Sequence, residues 1–146
     1  MIQTLRRLLG KHRGRDARAT HDIRLAVAAL MAEVMRMDGR LDPAERAHIL
    51  HALGQRFALS PQESKDLITR ACQACEQALD LHQFTSVVIR HYSTEQRAEI
   101  ISDLWRIAMA DGHADAHEEQ LIRRVSELIG ISHRQFIAAK LAAEAG

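Results

Sequence analysis

The chain has little of what β-rich proteins are built from. Aromatic residues make up 3% of it, and its 146 residues include two prolines and seven glycines, too few for the many tight turns of a β-sandwich. The apolar share of 47% comes mainly from Ala, Leu and Ile rather than from the Val, Thr and Tyr that favour strands. The composition therefore predicts an all-α protein of single-domain length.

Long apolar runs and catalytic motifs are also missing. No stretch approaches the roughly 20 apolar residues of a transmembrane helix, and Arg6 and Arg7 interrupt the apolar N-terminus, which argues against a cleavable signal peptide. We therefore expect a cytoplasmic protein. Because the chain has no P-loop, no G-x-S-x-G, no H-E-x-x-H and no glycine-rich dinucleotide turn, we expect no enzymatic activity.

The two cysteines form a single C-x-x-C, Cys72 and Cys75. Such a pair can be redox-active or can supply half of a zinc site, but there is no second pair, and both residues fall on the apolar face of a predicted helix. We predict that they are packing residues.

Positive charge is concentrated at the N-terminus. Six basic residues against Asp16 alone give a charge of +5 up to Arg18, so the remainder of the chain carries −4. Residues 1–18 also carry apolar side chains at Ile2, Leu5, Leu8 and Leu9. We predict a basic N-terminal segment at residues 1–20, either an amphipathic element that contacts an anionic membrane surface or a disordered tail. Nucleic acid is not an expected partner, because the rest of the chain has no basic, aromatic-bearing face.

Seven helices are predicted in residues 21–146, which we treat as one domain. The first has apolar residues at helical spacing from Ile23 to Val34. Start signals follow at Asp42-Pro43 and Ser60-Pro61, each with a glutamate at the third helical position. The remaining helices are expected around residues 84–88 and after Ser93, Asp115 and Ser132.

One acidic octapeptide, D-G-x-x-D-x-x-E, occurs twice, at residues 38–45 and 111–118. The helices before the two copies also match, for example Val27 with Ile100 and Met31 with Leu104. We therefore predict a duplicated unit of helix, acidic turn and helix, with the two units packed around a pseudo-twofold axis.

The acidic residues of the octapeptide do not all have the same explanation. Capping boxes explain Asp42 with Glu45 and Asp115 with Glu118, and the glycines can end the preceding helices in a left-handed conformation. Capping does not explain Asp38 and Asp111, because each lies at a helix C-terminus, where the dipole disfavours a carboxylate. A compensating charge is expected there: a helix N-terminus, an arginine or a bound cation.

Carboxylate and backbone carbonyl oxygens are the donors that hard divalent cations prefer. The candidate metal ligands are Asp38, Asp42, Glu45, Asp111, Asp115 and Glu118. Ca²⁺ or Mg²⁺ is the preferred ion, although the spacing is not that of an EF-hand. Zn²⁺ or Ni²⁺ ranks lower, because the first copy lacks the histidines of the second, His113 and His117. A purely structural turn and an acidic face for a basic partner remain open as alternatives.

The doubled motif resembles the TerB-like family over about residues 21–144. The stronger copy comprises Ala110-Asp111-Gly112, Asp115, Glu118, Leu128-Ile129-Gly130-Ile131-Ser132 and Phe136. The weaker copy comprises Met37-Asp38-Gly39, Asp42, Glu45 and Leu59-Ser60. The chain is also similar to the TerB-like domain of DjlA-type co-chaperones. It has no J domain, because neither proline lies in the required His-Pro-Asp.

The resemblance implies a non-enzymatic, all-helical domain linked to tellurite and other stress resistance, acting with protein partners and a metal at the inner face of the membrane. Its acidic positions map onto the six carboxylates named above. We therefore expect a stress-response binding module whose acidic turns bind a divalent cation or a basic partner near the inner membrane. The alternative is a structural protein-interaction module whose acidic turns are helix caps and bind no ligand.

Overall fold

A computed structural model describes the backbone of residues 2–36, 39–110, 112 and 114–145, and the side chains of these residues from residue 17 onward. Within this part of the chain the regular structure consists of seven α-helices. They are α1 (Ile2–Met35), α2 (Pro43–Phe57), α3 (Pro61–Gln77), α4 (His82–His91), α5 (Thr94–Ala108), α6 (Ala116–Leu128) and α7 (His133–Ala145). The predicted all-α class with seven helices is confirmed.

Helix α1 is longer than the helix predicted for this region. It runs without a break from Ile2 to Met35, so the basic N-terminal segment continues into the first helix of the domain. Among the α1 residues whose side chains are described, burial begins at Ile23, where the sequence changes to a run rich in Ala, Leu and Met. The domain boundary at residue 20 stays a prediction.

Two helices lie at the centre of the fold. Helix α1 packs mainly against α3 and α4, and it also contacts α2, α5 and α6. Because it is covered on several sides, it is apolar nearly all round between Ala26 and Met35. Helix α5 packs mainly against α7, and its Trp105 is 1% exposed in the core. The two acidic octapeptides follow these two helices in the sequence.

The order of packing partners parallels the octapeptide repeat. The first helix of each proposed unit packs mainly against the helix that follows the unit, α1 against α3 and α5 against α7. This agreement concerns packing partners only, and the duplication and the pseudo-twofold axis stay predictions.

The glycines of the two octapeptides have positive φ, but they do not end the preceding helices as predicted, because each lies four residues beyond the last helical residue, Met35 or Ala108. Gly39 has a φ of +77° and Gly112 a φ of +109°, values that favour glycine. Helix α2, in contrast, ends in a left-handed alanine, Ala58, with a φ of +53°. Local sequence offered no signal for that ending.

The cysteines are packing residues, as predicted. Cys75 is buried, and its Sγ donates a hydrogen bond to the carbonyl oxygen of Ala29 at 3.3 Å, so it ties α3 to α1. Burial raises the pKa of the Cys75 thiol to about 12. A thiol with so high a pKa is a weak nucleophile at neutral pH.

None of the helices in the described part of the chain combines the length and the apolar character needed to cross a bilayer.

Candidate functional site

The second acidic turn begins α6 with a reciprocal capping box. The Oδ1 atom of Asp115 accepts a hydrogen bond from the backbone N of Glu118 at 2.7 Å. In return, the Oε1 atom of Glu118 accepts from the backbone N of Asp115 at 3.4 Å. This is the capping box predicted from the sequence, and it satisfies two of the orphan N–H groups at the helix start.

Capping does not account for the environment of Glu118. The residue is 8% exposed, although glutamates at the third position of a helix are usually solvated. Burial raises its pKa to about 7, with further contributions from a hydrogen bond to the Asp115 side chain and from the charges of Asp115 and Glu45. No ion pair of the described residues includes Glu118. Its ionised form is therefore unfavourable near neutral pH.

Asp115 has the opposite character. It is exposed, and the backbone N–H of Glu118 stabilises its ionised form, which lowers the pKa of Asp115. The exposed His117, which also acts on Asp115, lies beside it at the start of α6. The turn thus combines a firmly ionised carboxylate with a buried one that titrates near neutral pH.

The first acidic turn caps α2 differently. The Oδ1 atom of Asp42 accepts from the backbone N of Ala44 at 2.8 Å, one residue earlier than in a capping box. The sequence predicted a capping box with Glu45, and that prediction is wrong in geometry, because the bond is made at the second helical position. Asp42 is exposed and Glu45 is half-buried.

One electrostatic interaction links the two acidic turns. The Glu45 carboxylate lies close enough to Glu118 for its charge to raise the pKa of that group, although the residues belong to different copies of the octapeptide. Helices α2 and α6, which carry them, both pack against α1. The charge of Glu45 therefore adds to that of Asp115 in disfavouring the ionised form of Glu118.

Three other candidate residues, Asp38, Asp111 and His113, lie outside the described residues. Within the described ranges, no group of three or more His, Cys, Asp or Glu side chains is spaced to hold a metal ion. The carboxylate oxygens of Glu45 and Glu118 are hard donors of the type that Ca²⁺ and Mg²⁺ bind. The metal site predicted from Asp38, Asp42, Glu45, Asp111, Asp115 and Glu118 stays a prediction.

One group of interacting residues was missed by the sequence reasoning. The Nε atom of Arg56 on α2 donates to the Oδ2 atom of Asp103 on α5 at 2.5 Å, and the Nη1 atom of Arg106 donates to Oδ1 of the same carboxylate at 3.0 Å. Only the Asp103 and Arg106 spacing of three residues was readable as a helical pair. Nothing in the sequence indicated that Arg56 would join them across 47 residues.

Comparison with known proteins gives one match. The family described as tellurite resistance protein TerB matches residues 24–141, which is most of the chain and includes both acidic turns. Neither a curated protein nor a solved structure matches the chain significantly.

Proposed function

Because the chain belongs to the family of the tellurite resistance protein TerB, we propose that it is a non-enzymatic stress-response module in which the two acidic turns together bind a divalent cation. The observation that carries the proposal is the environment of Glu118. This buried carboxylate is close to Asp115 and to Glu45 of the other turn, and its pKa is raised to about 7.

The physical reason is the cost of holding these charges together. A buried carboxylate beside a second one, as Glu118 is beside Asp115, is destabilised in its ionised form unless a positive charge offsets it. A divalent cation supplies two charges in one small volume, and oxygen donors are what a hard cation prefers. Glu45 and Glu118 would hold it, with Asp38 and Asp111 as the further ligands that the sequence suggests.

Ca²⁺ and Mg²⁺ are the first ions to test, because the shared donors of the two turns are oxygens. Zn²⁺ and Ni²⁺ are second, since His117 adds an imidazole beside Asp115 only in the second turn. If no ion binds, we propose instead that the same carboxylates pair with lysine or arginine side chains of a partner protein.

Thermal unfolding in the presence of each ion tests the proposal. An ion at about one hundred times its dissociation constant adds about 2.7 kcal/mol to the free energy of unfolding. For a domain of this size that is a rise in Tm of roughly 5 to 10 °C. We expect a rise of this order with Ca²⁺ or Mg²⁺ for the parent protein.

Glu118→Gln is the sharpest variant, because glutamine can still form the capping box while it removes the buried charge. Glu63→Gln is its matched control: Glu63 holds the same position in the Ser60 capping box of α3 and is exposed to solvent. The ion should stabilise the control as it does the parent and should stabilise Glu118→Gln much less. Equal stabilisation of all three proteins would remove Glu118 from the site.

A structural role without a ligand is the second candidate, favoured by the reciprocal hydrogen bonds of Asp115 and Glu118. It predicts that none of the five ions Ca²⁺, Mg²⁺, Mn²⁺, Zn²⁺ and Ni²⁺ shifts Tm of the parent. In that case the acidic turns are helix caps, and the search moves to protein partners.

We also propose that residues 1–18 place the domain at the inner face of a membrane. Their charge supports this, because clusters of basic residues are attracted to anionic lipid headgroups. Co-sedimentation with vesicles that contain phosphatidylserine, compared with phosphatidylcholine alone, tests it. Replacing Arg6 and Arg7 with Gln should weaken binding to the anionic vesicles, and unchanged binding would contradict the proposal.

A further inference from the structure

A second candidate binding site is a groove between α2 and α5 that extends to Ala110, just before the second acidic turn. The groove has a volume of about 350 Å³, which is within the range of small-molecule sites. It is lined by nine residues of the two helices and of the turn that follows α5. Its apolar part consists of Ala52, Ile107 and Ala110.

The polar part of the groove is rich in hydrogen-bond donors. The described lining residues include two arginines, Arg56 and Arg106, and one carboxylate, Asp103. Two histidines and a glutamine complete the polar wall and add no further negative charge. The charges of the described lining residues thus sum to +1 when the histidines are counted as neutral.

The two arginines differ in their exposure and in the number of carboxylates that they contact. The Arg56 side chain is 15% exposed, and its Nε is bonded to Asp103 while its Nη1 lies 3.6 Å from Glu99, which does not line the groove. The Arg106 side chain is 48% exposed and uses Nη1 for Asp103. Arg106 is therefore the cation of the groove that an incoming anion can reach.

Asp103 has a positioning role in this arrangement. It is 14% exposed on its side chain and accepts from both arginines, so it fixes the direction of each guanidinium. An arginine held by one carboxylate keeps N–H groups for a second, since the guanidinium has five donors in a planar fork. The aliphatic side of the groove lies beside these donors on the same two helices.

We propose that this groove binds a small organic anion, a monocarboxylate with a short aliphatic body, with its charged end on Arg106 and its body on Ala52 and Ile107. The proposal does not depend on the function proposed above, because it uses other side chains and the opposite charge. A site of this kind gains affinity from the apolar contact and orientation from the ion pair.

Hexanoate is a suitable probe, because a body of about six carbons is small compared with the groove. Titrated into ¹⁵N-labelled protein, it should shift the amide resonances of Ala52, Arg106 and Ile107 with a dissociation constant on the order of 1 mM. Hexylammonium has the same body and the opposite charge, and inorganic phosphate has negative charge without the body. Both should bind at least fivefold more weakly.

Two variants and one control test the assignment of residues. Arg106→Gln should weaken hexanoate binding about five- to tenfold, and Ala52→Leu, which fills the groove, should abolish saturable shifts. The control is Arg90→Gln, an exposed arginine of α4 that does not line the groove. Circular dichroism and Tm establish that each variant is folded.

Three results would overturn the proposal. Hexylammonium binding as tightly as hexanoate would show that charge plays no part. Phosphate binding as tightly, with the same shifts, would show that the apolar wall plays no part. Unchanged hexanoate affinity in folded Arg106→Gln would show that the anion lies elsewhere.

Discussion

The two acidic turns have the same octapeptide pattern and different structures. At the second turn, Asp115 and Glu118 bond reciprocally, and Glu118 is buried. At the first turn, Asp42 bonds one residue earlier, and Glu45 stays half-buried without a capping box of this kind. The difference shows that one motif can serve as a helix cap in both places and still give its glutamates different environments. The second turn provides the buried carboxylate, Glu118, and the first provides Glu45, whose charge raises the pKa of Glu118.

The largest expected loss of stability comes from breaking the ion pair between α2, which follows the first turn, and α5, which precedes the second. Asp103→Ala removes the acceptor that joins Arg56 of α2 to α5 and leaves a largely buried guanidinium. We expect a loss of about 3 kcal/mol in the free energy of unfolding, measured by urea denaturation. As a control, Asp66→Ala on the exposed face of α3 should cost less than about 0.5 kcal/mol. A comparable loss in both variants would mean that the ion pair does not hold α2 on α5.

The next effect concerns pH and distinguishes the buried glutamate from its exposed counterparts. The pKa of Glu118 is raised in the folded protein to about 7 from the model-compound value of 4.5. Below the lower value the group is protonated in both states and costs nothing. As pH rises toward the folded value, unfolding releases a proton, so stability falls, and above that value the loss is complete.

Glu118→Gln has no ionisable group at this position, so its stability does not fall in this way as pH rises. In the absence of divalent ions we expect the variant to be more stable than the parent by about 2 kcal/mol at pH 8, and the difference to vanish near pH 4. Denaturation at a series of pH values measures it. Glu63→Gln should show no such gain, because Glu63 is exposed and its pKa is lowered by its backbone hydrogen bond with Ser60. A pH-independent difference for Glu118→Gln would contradict the raised pKa.

The smallest effect compares the caps themselves. Asp115→Ala and Asp42→Ala each remove a hydrogen bond to a backbone N–H, and we expect losses of about 1.5 and about 1 kcal/mol at pH 5. At pH 8 the loss for Asp115→Ala should shrink, because removing that charge also relieves the ionised Glu118. The loss for Asp42→Ala should be the same at both values. If the two variants respond to pH alike, the turns are equivalent after all.

Much of the fold was predictable because its signals are local. The apolar spacing that begins at Ile23, and the Ser and Asp residues before α3, α5 and α6, lie within a few residues of the structure that they specify. Gly39 and Gly112 have the positive φ that favours glycine, but the preceding helices end four residues before each of them. Two local features were not predicted correctly. Asp42 accepts a hydrogen bond from Ala44 instead of forming a capping box with Glu45, and α2 ends in a left-handed alanine, Ala58, instead of a glycine.

The candidate site was only partly predictable. The six carboxylates could be named from the repeat, but not that Glu118 would be buried or that Glu45 would lie close to it. The groove, with Arg56 and Arg106 sharing Asp103, gave no sequence signal beyond one helical pair.

Local sequence was sufficient for the existence of the helices and for the capping boxes at Ser60, Ser93 and Asp115, because backbone hydrogen bonds and capping contacts join residues three or four positions apart. Tertiary packing settled the charge state of the acidic turns and the chemistry of the groove. A pKa depends on burial and on every charge within a few ångströms, and those charges arrive from helices that are distant along the chain.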